Sequence, residues 1–135
     1  MSLALHHINL VSDDVPRLDA FYRNVLGLKG LPDMMDLRKT QSYGGNVAFI
    51  DGNPVQLHLA ARDDELGFRT RQFVNPVTSG GHIAFRTDDI DQVKAQLAKH
   101  KVPFSDYGTF AMQGWHQIFF YDPSGRVVEV HQVVE

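Results

Sequence analysis

Polar and apolar residues alternate over residues 7–11, with His7, Asn9 and Val11 on one face and Ile8 and Leu10 on the other. This period of two is the pattern of a half-buried strand, and it places His6 on the face opposite His7. Ser12-Asp13-Asp14 closes the strand. An Asp N-cap ahead of Val15-Pro16 opens a helix, because proline in the first helical turn gives up no useful N–H. Leu18, Phe21, Tyr22, Val25 and Leu26 recur at helical spacing until Gly27 ends the run. Short strands are expected around residues 28–35, 45–50 and 54–60, the last two joined through Asp51-Gly52-Asn53-Pro54.

The second half returns the same order. Residues 7–15 read HINLVSDDV and residues 82–90 read HIAFRTDDI, at an offset of 75. Residues 47–59 read VAFIDGNPVQLHL and residues 118–130 read IFFYDPSGRVVEV, at an offset of 71. Asp89 caps a second helix, with Gln92 placed as in a capping box and Ile90, Val93 and Leu97 as the apolar stripe. Strands follow around 103–110, 115–121 and 126–133, the last pair joined through Asp122-Pro123-Ser124-Gly125. The chain therefore reads as one α+β domain over residues 1–135, made of two tandem βαβββ modules. Module one covers about 3–61 and module two about 80–133, with a linker of charge, Gly, Pro and Ser at about 62–79.

Composition narrows the function classes. Apolar residues make up 43% of the chain and charged residues 21%, ordinary for a globular domain with a real core. The net charge is −3 and the 13 Lys and Arg residues form no dense run, which argues against nucleic acid as a partner. No stretch approaches the roughly 18 apolar residues of a membrane span, and no signal peptide is visible at the start. With no cysteine there is neither a disulfide framework nor a thiolate metal site. A cytoplasmic location and a small-molecule partner are expected.

The repeat singles out four residues. His7 and His82 open equivalent strands, and His58 and Glu129 occupy one equivalent position on the final strands. Pseudo-twofold symmetry would bring these pairs together at the middle of a sheet. A lone strand histidine is ordinarily a hydrogen-bonded core or rim residue, since burial requires its nitrogens to be satisfied. Imidazoles matched with a carboxylate across a repeat instead suit a borderline divalent cation. Three neutral histidines and Glu129 would leave open positions for water or substrate, and Glu129 would be ligand and proton-transfer group together. Gln56, one strand step from His58, is an alternative fourth ligand or a pocket wall, and Asn9 shares the His7 face as a substrate contact. His116 and His131 stand as supporting or rim groups, and His100 as a solvated helix-end residue. Arg38, Lys39, Arg69 and Arg71 are loop cations whose ordinary role is surface solvation.

HHINLVSDDVPRLDAFYRNVLGL resembles the opening signature of the vicinal oxygen chelate superfamily, which holds glyoxalase I, fosfomycin- and bleomycin-resistance proteins, methylmalonyl-CoA epimerase and extradiol dioxygenases. GHIAFRTDDI and FFYDPSGRVVEV resemble its second-module motifs. The resemblance implies a cupped mixed sheet with helices on its outer side and a divalent metal (Fe, Mn, Co, Ni or Zn) held by His7, His58, His82 and Glu129. It implies lyase, isomerase or dioxygenase chemistry on a small oxygen-bearing substrate. The other reading is a metal-free cup that sequesters a ligand between aromatic walls such as Phe49, Trp115, Phe119, Phe120 and Tyr121. Relatives of this length are commonly homodimers with shared sites, which would set His7 and His58 of one copy opposite His82 and Glu129 of another. His58 stands where many glyoxalases carry Glu, and Arg126 replaces the Asn of the usual turn.

Overall fold

The computed structural model describes residues 2–31, 44–78, 80–123 and 125–134. Arg38, Lys39 and the second half of the strand expected around 28–35 lie outside these residues. Each module contributes four strands to one eight-stranded mixed sheet. In the first module these are β1 (Ala4–Ser12), β2 (Lys29–Gly30), β3 (Val47–Asp51) and β4 (Gln56–Ala61). The second adds β5 (His82–Arg86), β6 (Ser105–Gly108), β7 (Trp115–Tyr121) and β8 (Val127–Val133). The order across the sheet is β2-β3-β4-β1-β5-β8-β7-β6, with β1 parallel to β4, β5 parallel to β8, and β1 antiparallel to β5. The modules thus meet along β1 and β5, about a pseudo-dyad at the Ile8–Ile83 pair.

Alternation along the strands sorts the core into two layers. On the outer face, α1 (Val15–Ala20) lays Val15 against Ala48, Ile50 and Leu59. There too, α3 (Ile90–Lys99) lays Ile90 and Val93 against Ile118 and Val130. Both helices start as the sequence indicates. Asp14 accepts from the Arg17 N–H and Asp89 from the Gln92 N–H, each at 3.1 Å. The first helix departs from a simple stripe: residues Phe21–Val25 form a π-helical turn, and Phe21, Val25 and Leu26 are exposed. The wider turn shifts the register, leaving Leu18 and Tyr22 against the core.

The linker is packed rather than loose. It carries α2 (Leu66–Thr70), and Leu66, Val74 and Val77 are buried on the inner face of the sheet. Gly81, which ends it, has φ +61, and a Cβ there would run into the Asn9 carbonyl oxygen. Only glycine lets the chain enter β5 so close to β1, immediately before His82. No helix among the described residues is long and apolar enough to cross a membrane.

Candidate metal centre

Two cross-strand rows on the inner face build the site. One row runs Gln56, His7, Ala84, Glu129 across β4, β1, β5 and β8. The next runs His58, Asn9, His82 across β4, β1 and β5. The pseudo-dyad relates His7 to His82, His58 to Glu129, and Asn9 to the small Ala84. His7, His58, His82 and Glu129 are all buried, and all four line one cavity. All four come from one chain, in which β1 pairs with its own β5.

Glu129 is the hub. Its Oε1 lies 3.0 Å from His82 Nε2 and 3.4 Å from His7 Nε2, and its Oε2 lies 2.7 Å from His131 Nδ1. Burial alone would raise the Glu129 carboxyl, but His7 and the hydrogen bond from His131 outweigh it and hold the acid well below its ordinary value. Burial pushes His7 down, against the pull of Glu129. Burial, with the neighbouring His7, pushes His58 well below the usual imidazole range. We therefore read Glu129 as a carboxylate, beside His7 and His58 whose burial disfavours their charged forms.

Hydrogen-bond partners fix two tautomers. His82 donates Nδ1–H to the Pro76 carbonyl at 2.9 Å, so its Nε2 turns a lone pair toward Glu129 Oε1. Two acceptors in contact call for a cation, either a proton or a metal ion. An imidazole steadied by a backbone carbonyl at its far nitrogen is also the usual arrangement of a metal-ligating histidine. His131 accepts from Arg86 Nε at Nε2 (2.9 Å) and so donates Nδ1–H to Glu129 Oε2. Trp115 stacks on the His131 ring at 4.1 Å, with the Arg86 guanidinium 5.1 Å from the Trp115 ring centre.

The four residues do not close into one compact cluster. Ligand atoms within 4.8 Å of one another form two described triads, His6/His7/His58 and His7/Glu129/His131. His82 belongs to neither, although it touches Glu129. His58 stacks on His7 at 3.7 Å, and its Nε2 bonds Gln56 Oε1 at 2.8 Å, so the two alternatives for a fourth ligand hold each other. Gln56 is not among the residues lining the cavity, whereas Asn9 is.

His6 corrects the alternation. The β1–β5 ladder slips between Leu5 and His7, a bulge that turns His6 back toward the site. Its Nδ1 lies 2.8 Å from His7 Nδ1, and burial followed by the Arg86 charge pushes it down to about 3. His116 instead sits outside the cup on Asp106, at 2.8 Å, and His100 pairs with Gln96 on the exposed end of α3. Gln117 is a lining residue that the motifs did not mark, though it shares the Trp115 and Phe119 face of β7. A larger cleft of about 580 Å³ between α1 and β3 is lined by no histidine among the described residues.

Comparison with known proteins agrees with this fold. The family model described as Glyoxalase/Bleomycin resistance protein/Dioxygenase superfamily matches residues 4–130. The chain is 26% identical to YaeR of Escherichia coli, covering 95% of each chain. It is 22% identical to Glyoxylase I 4 of Arabidopsis thaliana, covering 94% of this chain and 69% of that one. Among solved structures, a Bacillus halodurans protein superposes with TM-score 0.70 at 18% identity, over 100% of this chain and 97% of the other. Methylmalonyl-CoA epimerase from Mycobacterium tuberculosis gives 0.64 at 19%, over 97% and 88%. The chain belongs to the glyoxalase/bleomycin resistance protein/dioxygenase superfamily.

Proposed function

We propose that the chain is a divalent-metal-dependent enzyme acting on a small, oxygen-bearing substrate. The observation that carries this is the buried convergence of His7 and His82 on Glu129 Oε1, with His82 already bonded to Pro76 through its other nitrogen. His7, His82 and Glu129 would hold the ion, with His58 as a fourth ligand once its nitrogen leaves Gln56. A divalent ion bound there would polarise a carbonyl or enolate, or acidify a water. Glu129 Oε1 is the position from which a proton can be taken and returned, while His131 keeps Oε2 occupied. This favours redox-neutral lyase or isomerase chemistry, the type named by the Arabidopsis relative and the epimerase. Ring-cleaving dioxygenase chemistry follows if His58 stays off the ion, leaving a two-histidine, one-carboxylate triad.

The second reading is a metal-free ligand-sequestering cup. It draws on the apolar walls that Val47, Phe49, Met112, Trp115 and Phe119 supply. Bound metal, measured on untagged protein prepared without chelator and after reconstitution with Fe, Mn, Co, Ni or Zn, separates the two. The enzyme reading expects stoichiometric metal that His82→Ala and Glu129→Ala each abolish. Hemithioacetal turnover against O₂ uptake with catechols then divides the chemistries.

A homodimer in the cytoplasm is part of the same reading. Exposed Leu3, Leu5, Phe21, Val25 and Leu26 would provide apolar contact area. Because one chain supplies the whole site, dilution to monomer should leave metal binding intact, as light scattering with metal analysis would show.

A further inference from the structure

We propose that Asn9 and Gln117 are the recognition end of the cup, accepting hydrogen bonds from O–H or N–H groups of an uncharged small molecule. The inference rests on the metal-site reading for the reacting end of that molecule, not for its recognition. Asn9 Oδ1 and Gln117 Oε1 are buried oxygens without a hydrogen-bond partner among the described residues. Both residues are at least nine-tenths buried, and both line the cavity of His7, His58, His82 and Glu129. A buried acceptor with no donor is costly, and such atoms are rare unless a donor arrives from outside the fold.

Their positions give the request a direction. Asn9 stands between His58 and His82 in the second row, and its repeat partner is Ala84, so the amide is present on one side of the pseudo-dyad only. Gln117 lies on β7 beside His131 in the ladder, between the Trp115 and Phe119 walls. An otherwise symmetric cup thus becomes polar in an asymmetric way, as an oriented ligand requires. No Lys or Arg lines the cavity among the described residues, so no cationic side chain there stands ready to pair with a phosphate or carboxylate at the amide end. An amide oxygen accepts without adding net charge, which suits a neutral donor. The cavity of about 70 Å³ is under half the roughly 150 Å³ void that takes a benzene. It encloses a polar end of a few heavy atoms, and the remaining walls are mostly apolar.

Two matched probes test this: hydroxyacetone, which donates, and fluoroacetone, its near-isostere without a donor. Binding is read by saturation-transfer NMR on wild type, Asn9→Leu, Gln117→Met and the double variant, each with and without metal. Wild type should prefer hydroxyacetone by at least about fivefold, the worth of one net hydrogen bond. The double variant should lose that preference and, metal-free, should melt higher by roughly 4 °C, since an orphan acceptor has gone. No preference in wild type overturns the inference, as does a preference that survives in the double variant. Should the variants not fold, the wild-type comparison still decides. Metal content of the same samples keeps the readings apart. Preference without bound metal upholds this inference and sinks the metal reading; bound metal without preference does the reverse.

Discussion

Glu129 divides its two oxygens between two tasks. Oε1 faces His7 and His82, and Oε2 is taken by His131, whose proton is fixed on Nδ1 by the Arg86 donor behind it. A carboxylate held at one oxygen presents the other in a set direction, and partners of this kind typically contribute 10- to 100-fold in metal affinity. His131→Phe keeps a ring against Trp115 but removes both bonds. It should weaken metal binding by about tenfold or more in a chelator competition; unchanged affinity would show that Glu129 needs no such support. Much of this was legible in the chain. Strict alternation puts Glu129 and His131 on one face, and the repeat picks out Glu129. The role of His131 was not legible, because it depends on Arg86, which lies 45 residues away in sequence. His6 was misplaced for a different reason: a bulge adds one residue to a strand and reverses the facing of its neighbour, and nothing in the local pattern announces it.

Individual elements matter to the site mainly where β1 and β5 meet. Asn9 faces His82 across that ladder, and Gly81 makes the approach possible. Gly81→Ala would place a methyl group against the Asn9 carbonyl in a left-handed backbone conformation. It should cost about 2 kcal/mol or more in urea unfolding, with metal affinity falling because His82 and Pro76 shift together. A change within about 0.5 kcal/mol would mean that β5 is free to move away from β1. Both helix starts were readable from Asp14 and Asp89, since an N-cap is a local interaction. The π-helical turn at Phe21–Val25 was not, because apolar spacing alone cannot tell a widened turn from a regular one. Nor did the charge and glycine of the linker disclose that Leu66, Val74 and Val77 cover the cup.

On the scale of the whole molecule, the repeat accounts for the sheet order and for the pairing of site residues, yet it leaves one choice open. The motifs read alike whether the two modules close on each other or on those of a second copy. Here the modules close within one chain. The buried imidazoles also set a pH dependence. His7 and His58 have lowered proton affinity in the fold, so the unfolded chain binds more protons below the ordinary histidine value of 6.5. Stability of the metal-free protein should be fully present above that value and fall as pH drops through it, by up to about 1.4 kcal/mol per pH unit for each such histidine. Glu129, also lowered, adds a further loss below 4.5. Denaturant midpoints at pH 7.5, 6 and 5 would show this, and a flat profile would mean that these rings are protonated in the fold.

The most direct test of the account is the metal content of untagged protein, alone and after reconstitution with divalent Fe, Mn, Co, Ni or Zn. The account predicts about one ion per chain, lost in His7→Ala, His82→Ala and Glu129→Ala and retained in His116→Ala, whose ring sits outside the cup on Asp106. Wild-type protein that takes up no stoichiometric metal under any of these conditions would contradict it.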